Sequence, residues 1–338
     1  MRYPFLRFCL GLAAFGLVTL IPARAEQPGL HVVRSYDLSG AGETGALCLD
    51  AQAQRLYAAR GDRLVVLNAT TGATLGTVSG VTDVRGLVVA PAARHGFATG
   101  AGNTITMFDT ETLAVVKTVT SPGQGPTDLA YDADTGHVFV ANRTSGDLAV
   151  FEASTAALVT DLPLGGKLSG VACDGFSRVF VTAEDRNLIH VVDSHTLKSL
   201  GDYPTAPGVG PTGLATEDSG RRLFVPCLNG KLVVIDGDVG AAFRILKLEG
   251  KGPAVVAFGL ADPEHPVGDM PWKGRIVAVT ADGTLNTGRM MAFVNYVAHD
   301  HQALGAKPLG VAIDGDAQRA FVLLAKSPTA AQIAVLEP

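Results

Sequence analysis

Short apolar runs recur along this chain, each bounded by Gly, Asp, Asn or Pro and none long enough for an ordinary helix. The runs come in a fixed order. One closes on an acidic or small residue, a second follows a turn, a third ends in Asp, Asn or Glu, and a fourth precedes a Gly/Pro turn. The end of the first run marks each unit at Asp50, Ala90, Asp132, Asp174, Glu217, Gly259 and Asp314, with spacings of 40, 42, 42, 43, 42 and 55 residues. A period of about 40 to 45 residues with four strands per unit predicts propeller blades, and the seven markers predict an all-β, seven-bladed β-propeller of four-stranded antiparallel blades.

The second runs, such as Val138-Phe139-Val140-Ala141, and the third, such as Leu64-Val65-Val66-Leu67, are apolar throughout. Continuous apolar character predicts burial on both faces, as when a sheet is sandwiched between two neighbours. The fourth runs alternate instead, as in Val116-Lys117-Thr118-Val119. That pattern fits an outer edge half in water, with charges discouraging edge-to-edge pairing. The last unit, from Pro308 to Glu337, supplies only three strands, whereas His31 to Leu38 has fourth-strand character ahead of the first unit. The N-terminal strand is therefore expected to complete the last blade and close the ring.

Three units open alike: Gly125-Pro126-Thr127-Asp128-Leu129-Ala130, Gly210-Pro211-Thr212-Gly213-Leu214-Ala215 and Lys307-Pro308-Leu309-Gly310-Val311-Ala312, the first followed by Val138-Phe139-Val140-Ala141-Asn142. In these segments the chain resembles the YVTN-type, YncE-like seven-bladed β-propeller family. The resemblance runs over essentially everything after the leader. It implies a secreted or periplasmic binding propeller, some members of the family binding nucleic acid, and related sheets serve lactonases and quinoprotein dehydrogenases. Fold alone does not choose among these functions.

Arg2 and Arg7 flank a start that leads through an apolar stretch from Phe8 to Ile21 into Ala23-Arg24-Ala25. This reads as a secretory signal peptide over residues 1–25, its apolar stretch of 14 residues from Phe8 to Ile21 being shorter than the roughly 20 of a spanning helix, with the propeller domain over 26–338. A periplasmic or secreted protein with no membrane span after signal removal follows. Cleavage removes three Arg and no acid from 27 basic and 32 acidic residues, leaving a formal charge of about −8. Such a balance disfavours a surface that coats duplex DNA. Cys48, Cys173 and Cys227 remain, an odd number on scattered blades, and are expected to be free thiols.

No hydrolase elbow, phosphate-binding Gly loop or His-Glu-x-x-His helix occurs. His299-Asp300-His301 could place two imidazoles on one strand face, but on an outer strand they read more simply as solvated residues. No cofactor is expected. The long sixth step comes from a Pro-rich insertion, Ala261 to Gly274, holding the only Trp, Trp272, a self-packed loop or an anchor for a partner.

Propeller topology puts the loops joining fourth to first strands and second to third strands on one face. Those loops carry an excess of about two positive charges against about −8 overall, so the molecule is electrically lopsided. Arg60, Arg85, Arg143, Arg186, Lys251 and Lys307 come from separate loops and could converge on the channel mouth to bind an anionic small ligand or a protein partner. A simpler reading makes them ordinary paired loop charges, Arg186 with Asp185 and Arg143 with Asp147. The sequence thus favours a non-catalytic binding propeller. An enzyme of the lactonase or quinoprotein-dehydrogenase type would draw on Asp128, Asn142, Asn187, Asn229 and Asp282. A single-stranded nucleic-acid binder is less favoured, because stacking aromatics are sparse in these loops. The exported product should begin at Glu26, and an intact mass that retains residues 1–25 would contradict the leader assignment.

Overall fold

The computed structural model describes residues 30–39, 45–217, 221–259, 274–291, 295–315 and 319–338, with the backbone alone for 39, 289–291 and 295–300. Residues 1–25, expected to be a leader, and residues 261–273 of the Pro-rich insertion, with Trp272, lie outside the described residues. Seven four-stranded antiparallel sheets form, and the only helices among the described residues are three single 3-10 turns. In six sheets the strands lie side by side in chain order. Each first strand touches the first strand of the next blade around a closed circle, so the first strands are innermost.

The seventh blade is completed as the sequence implies. His31–Ser39 pairs antiparallel with Ala330–Glu337 and supplies that blade's outer strand. Tyr36 and Leu38 are buried from it. The Tyr36 hydroxyl donates to the carbonyls of Ala69 (3.3 Å) and Thr70 (3.1 Å) in the first blade. One strand therefore ties the last blade to the first.

Blades hold each other through two sequence positions that repeat around the ring. The third residue of the second strand is Tyr57, Phe97, Phe139, Phe180, Phe224 or Phe321, all fully buried, and Val277 in the sixth blade. Tyr57, for example, meets Phe108 of the next blade with ring centroids 5.7 Å apart. Burying each such side chain contributes roughly 1.5–3 kcal/mol. The first residue of the second strand is basic in every blade: Arg55, His95, His137, Arg178, Arg222, Arg275 and Arg319. Several of these reach across a blade boundary. Arg55 donates to the Thr110 carbonyl, His95 Nδ1 lies 2.9 Å from the Ala153 carbonyl, and Arg319 donates to Gln54 at 3.1 Å. Arg178 and Arg319 also pair with the buried acids that end their first strands, Asp174 at 2.6 Å and Asp314 at 3.0 Å. Both pairs close the turn between the first two strands of their own blade, and a buried pair of this kind adds little net stability because desolvation offsets the attraction.

The outer edge is guarded differently from the charge-based expectation. In every blade the pairing of the outer strand slips by one residue at the same place. The extra residue is Val33, Leu75, Val116, Val159, Leu200 or Phe243 in six blades, each more than a third exposed. In the sixth blade the slip falls at His299 and Asp300, whose side chains lie outside the described residues. A bulge disrupts the ladder that an incoming strand would need, so backbone shape does much of the work assigned to charge.

All three described cysteines are unpaired. Burial pushes the Cys48 and Cys227 thiols up to about 12 and raises Cys173 well above its ordinary value. They stay protonated at neutral pH and serve as packing residues. Deleting residues 26–39 should leave Ala330–Glu337 as an open edge and lower the melting temperature by more than about 10 °C, given a few degrees per kcal/mol in a domain of this size. A truncated protein that stays monomeric and melts with the full chain would show that the ring does not depend on this strand.

Candidate axial binding site

At the face carrying the loops into the first strands, the central channel opens as a cavity of about 250 Å³ to which all seven blades contribute. Arg85, Thr127, Asp128, Ser169, Thr212 and Leu309 are among its walls. It is narrow because neighbouring first strands approach closely at one recurring position. That position is Ala46, Gly86, Asp128, Gly170, Gly213, Val255 and Gly310, two residues or so inside each blade's opening turn. A methyl group on Gly86 would meet the Thr127 carbonyl oxygen at 2.3 Å, and one on Gly310 would meet Leu47 N at 2.8 Å. Hydroxyls stitch the same zone: Thr99 accepts from Gly86 N (2.9 Å) and donates to the Thr127 carbonyl (3.0 Å), while Ser169 donates to the Pro211 carbonyl (2.9 Å).

Asp128 is the exception among these small and apolar residues. Its carboxylate accepts from Leu129 N and, across the blade boundary, from Val171 N, both at 3.0 Å. Burial outweighs these bonds and pushes its pKa up to about 6. A second raised carboxyl is Asp161, also about 6, shifted first by burial and then by neighbouring Asp147.

The six cations singled out in the sequence separate into different roles. Arg60 has no exposed surface, and its Nη2 donates to the carbonyls of Ser327 (3.0 Å) and Pro328 (3.3 Å), bracing the first blade against the seventh. Its head is not presented at the mouth. Arg85 is the one of the six that lines the channel; its side chain is 52 % exposed, with Asp83 at 2.8 Å. Arg143 is half-buried and pairs with Glu184 of the next blade at 2.7 Å, not with Asp147, which is buried against Asn142. Arg186 is exposed at the end of the 3-10 turn Glu184–Arg186 and lies over the Gly165–Gly166 turn. Its neighbour Asp185 is held below the usual carboxylate range chiefly by the Lys167 N–H, which it accepts at 2.6 Å. Lys251 and Lys307 are exposed, and among the described residues neither they nor Arg186 forms an ion pair.

The residues an enzyme would draw on are mostly committed to loop structure. Asn142 is buried between Ser121 (2.8 Å) and Asp147 (2.5 Å), Asn187 accepts from Gly210 N, and Asn229 bonds Val209 N and the Pro207 carbonyl. Asp282 accepts from Thr280 and Thr284, which hold it below its ordinary value. Only Asp128 faces the channel. Among the described residues no group of three or more His, Cys, Asp or Glu is placed to hold a metal ion, and no helix is long and apolar enough to cross a membrane. From the sequence Asp128 was only a candidate ligand; the signal for its place was its alignment with Gly170, Gly213 and Gly310. No known family model matches this sequence, and comparison with curated proteins finds no significant match.

The raised carboxyl of Asp128 makes a signed prediction. The folded protein keeps this proton up to about pH 6, whereas the unfolded chain loses it near 4, so the folded state binds more protons between those values and stability falls as pH rises through them. A rise of that size is worth at most about 3 kcal/mol of stability. Asp128→Asn should melt progressively higher relative to wild type as pH rises from 4 to 7, with little difference at pH 4. A constant offset across that range would show that Asp128 ionises as it does in the unfolded chain.

Proposed function

We propose that this is an exported, non-catalytic propeller of the YVTN type that binds an anion-bearing partner, most naturally an acidic protein segment, across the axial face at the channel mouth. The observation that carries the reading is the combination of an open mouth walled by Arg85 with Arg186 and Lys251 on loops of the same face and Lys307 at a strand end there, all three exposed and free of ion pairs among the described residues. Arg143 contributes less, because binding there competes with Glu184, and Arg60 acts only as a brace. An extended acidic segment suits the geometry. Dispersed cations set long-range attraction and orientation, and the channel offers hydroxyls and backbone groups to a chain that lies over it. Export rests on the leader, and the family on the resemblance of the blade openings.

Replacing Arg85, Arg186 and Lys251 together by Gln should weaken binding of poly-L-glutamate about tenfold at low salt, at roughly 0.5 kcal/mol per partly screened charge. It should also flatten the salt dependence. Arg94→Gln, on a turn of the opposite face, should leave binding unchanged, where the same arithmetic gives about twofold for Arg85→Gln alone. Arg178 is a poor control, since it braces the fourth blade against the fifth. Equal losses from both faces would reduce the attraction to net charge alone.

A further inference from the structure

The sixth blade departs from the other six on the face it turns toward the fifth. Its third strand, Thr284–Met291, places Gly288 opposite Ile276. The residue with the same pairing is Leu67, Phe108, Phe151, Val192, Ile235 or Leu336 in the other blades, all buried. Where those blades insert a large apolar side chain, this one inserts none. A cavity of about 310 Å³ lies there between the fifth and sixth blades. Leu232, Leu246 and Leu248 wall it on one side, and Ile276, Ala278 and Gly288 on the other.

The rim is polar. Lys247, Glu249 and His301 border the opening, and Lys247 pairs with Glu249 Oε1 at 2.8 Å. Asn286, also at the border, is fully used: its Oδ1 accepts from Glu249 N (2.7 Å), and its Nδ2 donates to the carbonyls of Glu249 (3.0 Å) and Thr284 (3.2 Å). Asn286 therefore fixes the Glu249 segment at the edge of the cavity. The second carboxylate oxygen of Glu249 has no hydrogen-bond partner among the described residues.

We propose that this cleft binds an uncharged aromatic molecule of bicyclic size carrying one N–H or O–H donor, the ring between the leucine and isoleucine walls and the donor on Glu249. Volume sets the size: an apolar cavity of about 150 Å³ admits benzene, and this one has about twice that. Wall chemistry sets the charge, since an ion placed against aliphatic side chains loses its hydration without recompense. The rim sets the polarity of the one functional group, because the acceptor left open there belongs to a carboxylate. The cleft is lined by second, third and fourth strands and by none of the first strands that wall the channel, so the inference stands independently of the axial cavity.

Indole is a suitable probe, with binding to the intact protein followed by calorimetry and by the melting temperature. Wild type should bind one indole saturably and melt higher in its presence. Gly288→Leu, which restores the side chain present in the first and seventh blades, should weaken indole at least tenfold while melting no lower than wild type. Ala278→Leu fills the same space from the neighbouring strand and replaces that variant if it fails to fold. Non-saturable binding to wild type, or equal binding to wild type and the filled variant, would overturn the proposal. So would a failure of both variants to fold, which would mean that the space beside Gly288 is not there in solution.

Discussion

Everything in this molecule depends on how closely seven first strands can approach the common axis. Each blade is apolar on both faces and must be covered by a neighbour on both sides, so the sheets pack only as a closed ring. At the axis the strands are so near that Gly86, Gly170 and Gly310 leave no room for a β-carbon against the adjoining backbone. Small residues there allow the aromatic side chains further out, from Tyr57 to Phe321, to fill the wedges between blades. Closure then requires that the last sheet be complete, which the strand from His31 to Ser39 achieves.

The ring uses its charges differently on its two faces. The turns away from the channel mouth are occupied by bracing groups: Arg55, His95, Arg178 and Arg319 reach into the neighbouring blade, and Arg178 and Arg319 also close on buried acids. The mouth is looser in its use of charge. Arg186, Lys251 and Lys307 stand in water, where a cation contributes little to folding but a good deal to the approach and orientation of an anionic partner. Asp128 adds a titratable group inside the channel, its carboxyl pushed up to about 6 by burial.

Much of this was legible in the chain because it is periodic. Strand order, blade number and the closing role of His31 to Leu38 follow from apolar runs repeated at nearly constant spacing, a signal that survives local irregularity. What was not legible depends on distance rather than period. Arg60 and Arg85 both lie in loops of one face, yet one is fully buried against Ser327 and the other lines the channel, and nothing in their local sequence separates them. The bulges that expose Leu75, Val116 and Leu200 come from backbone pairing, which composition does not report. Two signals were in plain view once units were aligned: the basic residue opening every second strand, and Gly288 where other blades carry Leu, Phe, Val or Ile.

The claim that most needs a direct measurement is that the axial face is where a partner lands. Amide hydrogen exchange across the whole protein, with and without an acidic polypeptide at saturating concentration, addresses it without altering any residue. The account predicts slowed exchange in the loops around 83–87, 184–187 and 250–252, with the turns of the opposite face, such as 91–94 and 236–240, unchanged. Protection confined to the opposite turns, or spread evenly over both faces, would contradict it.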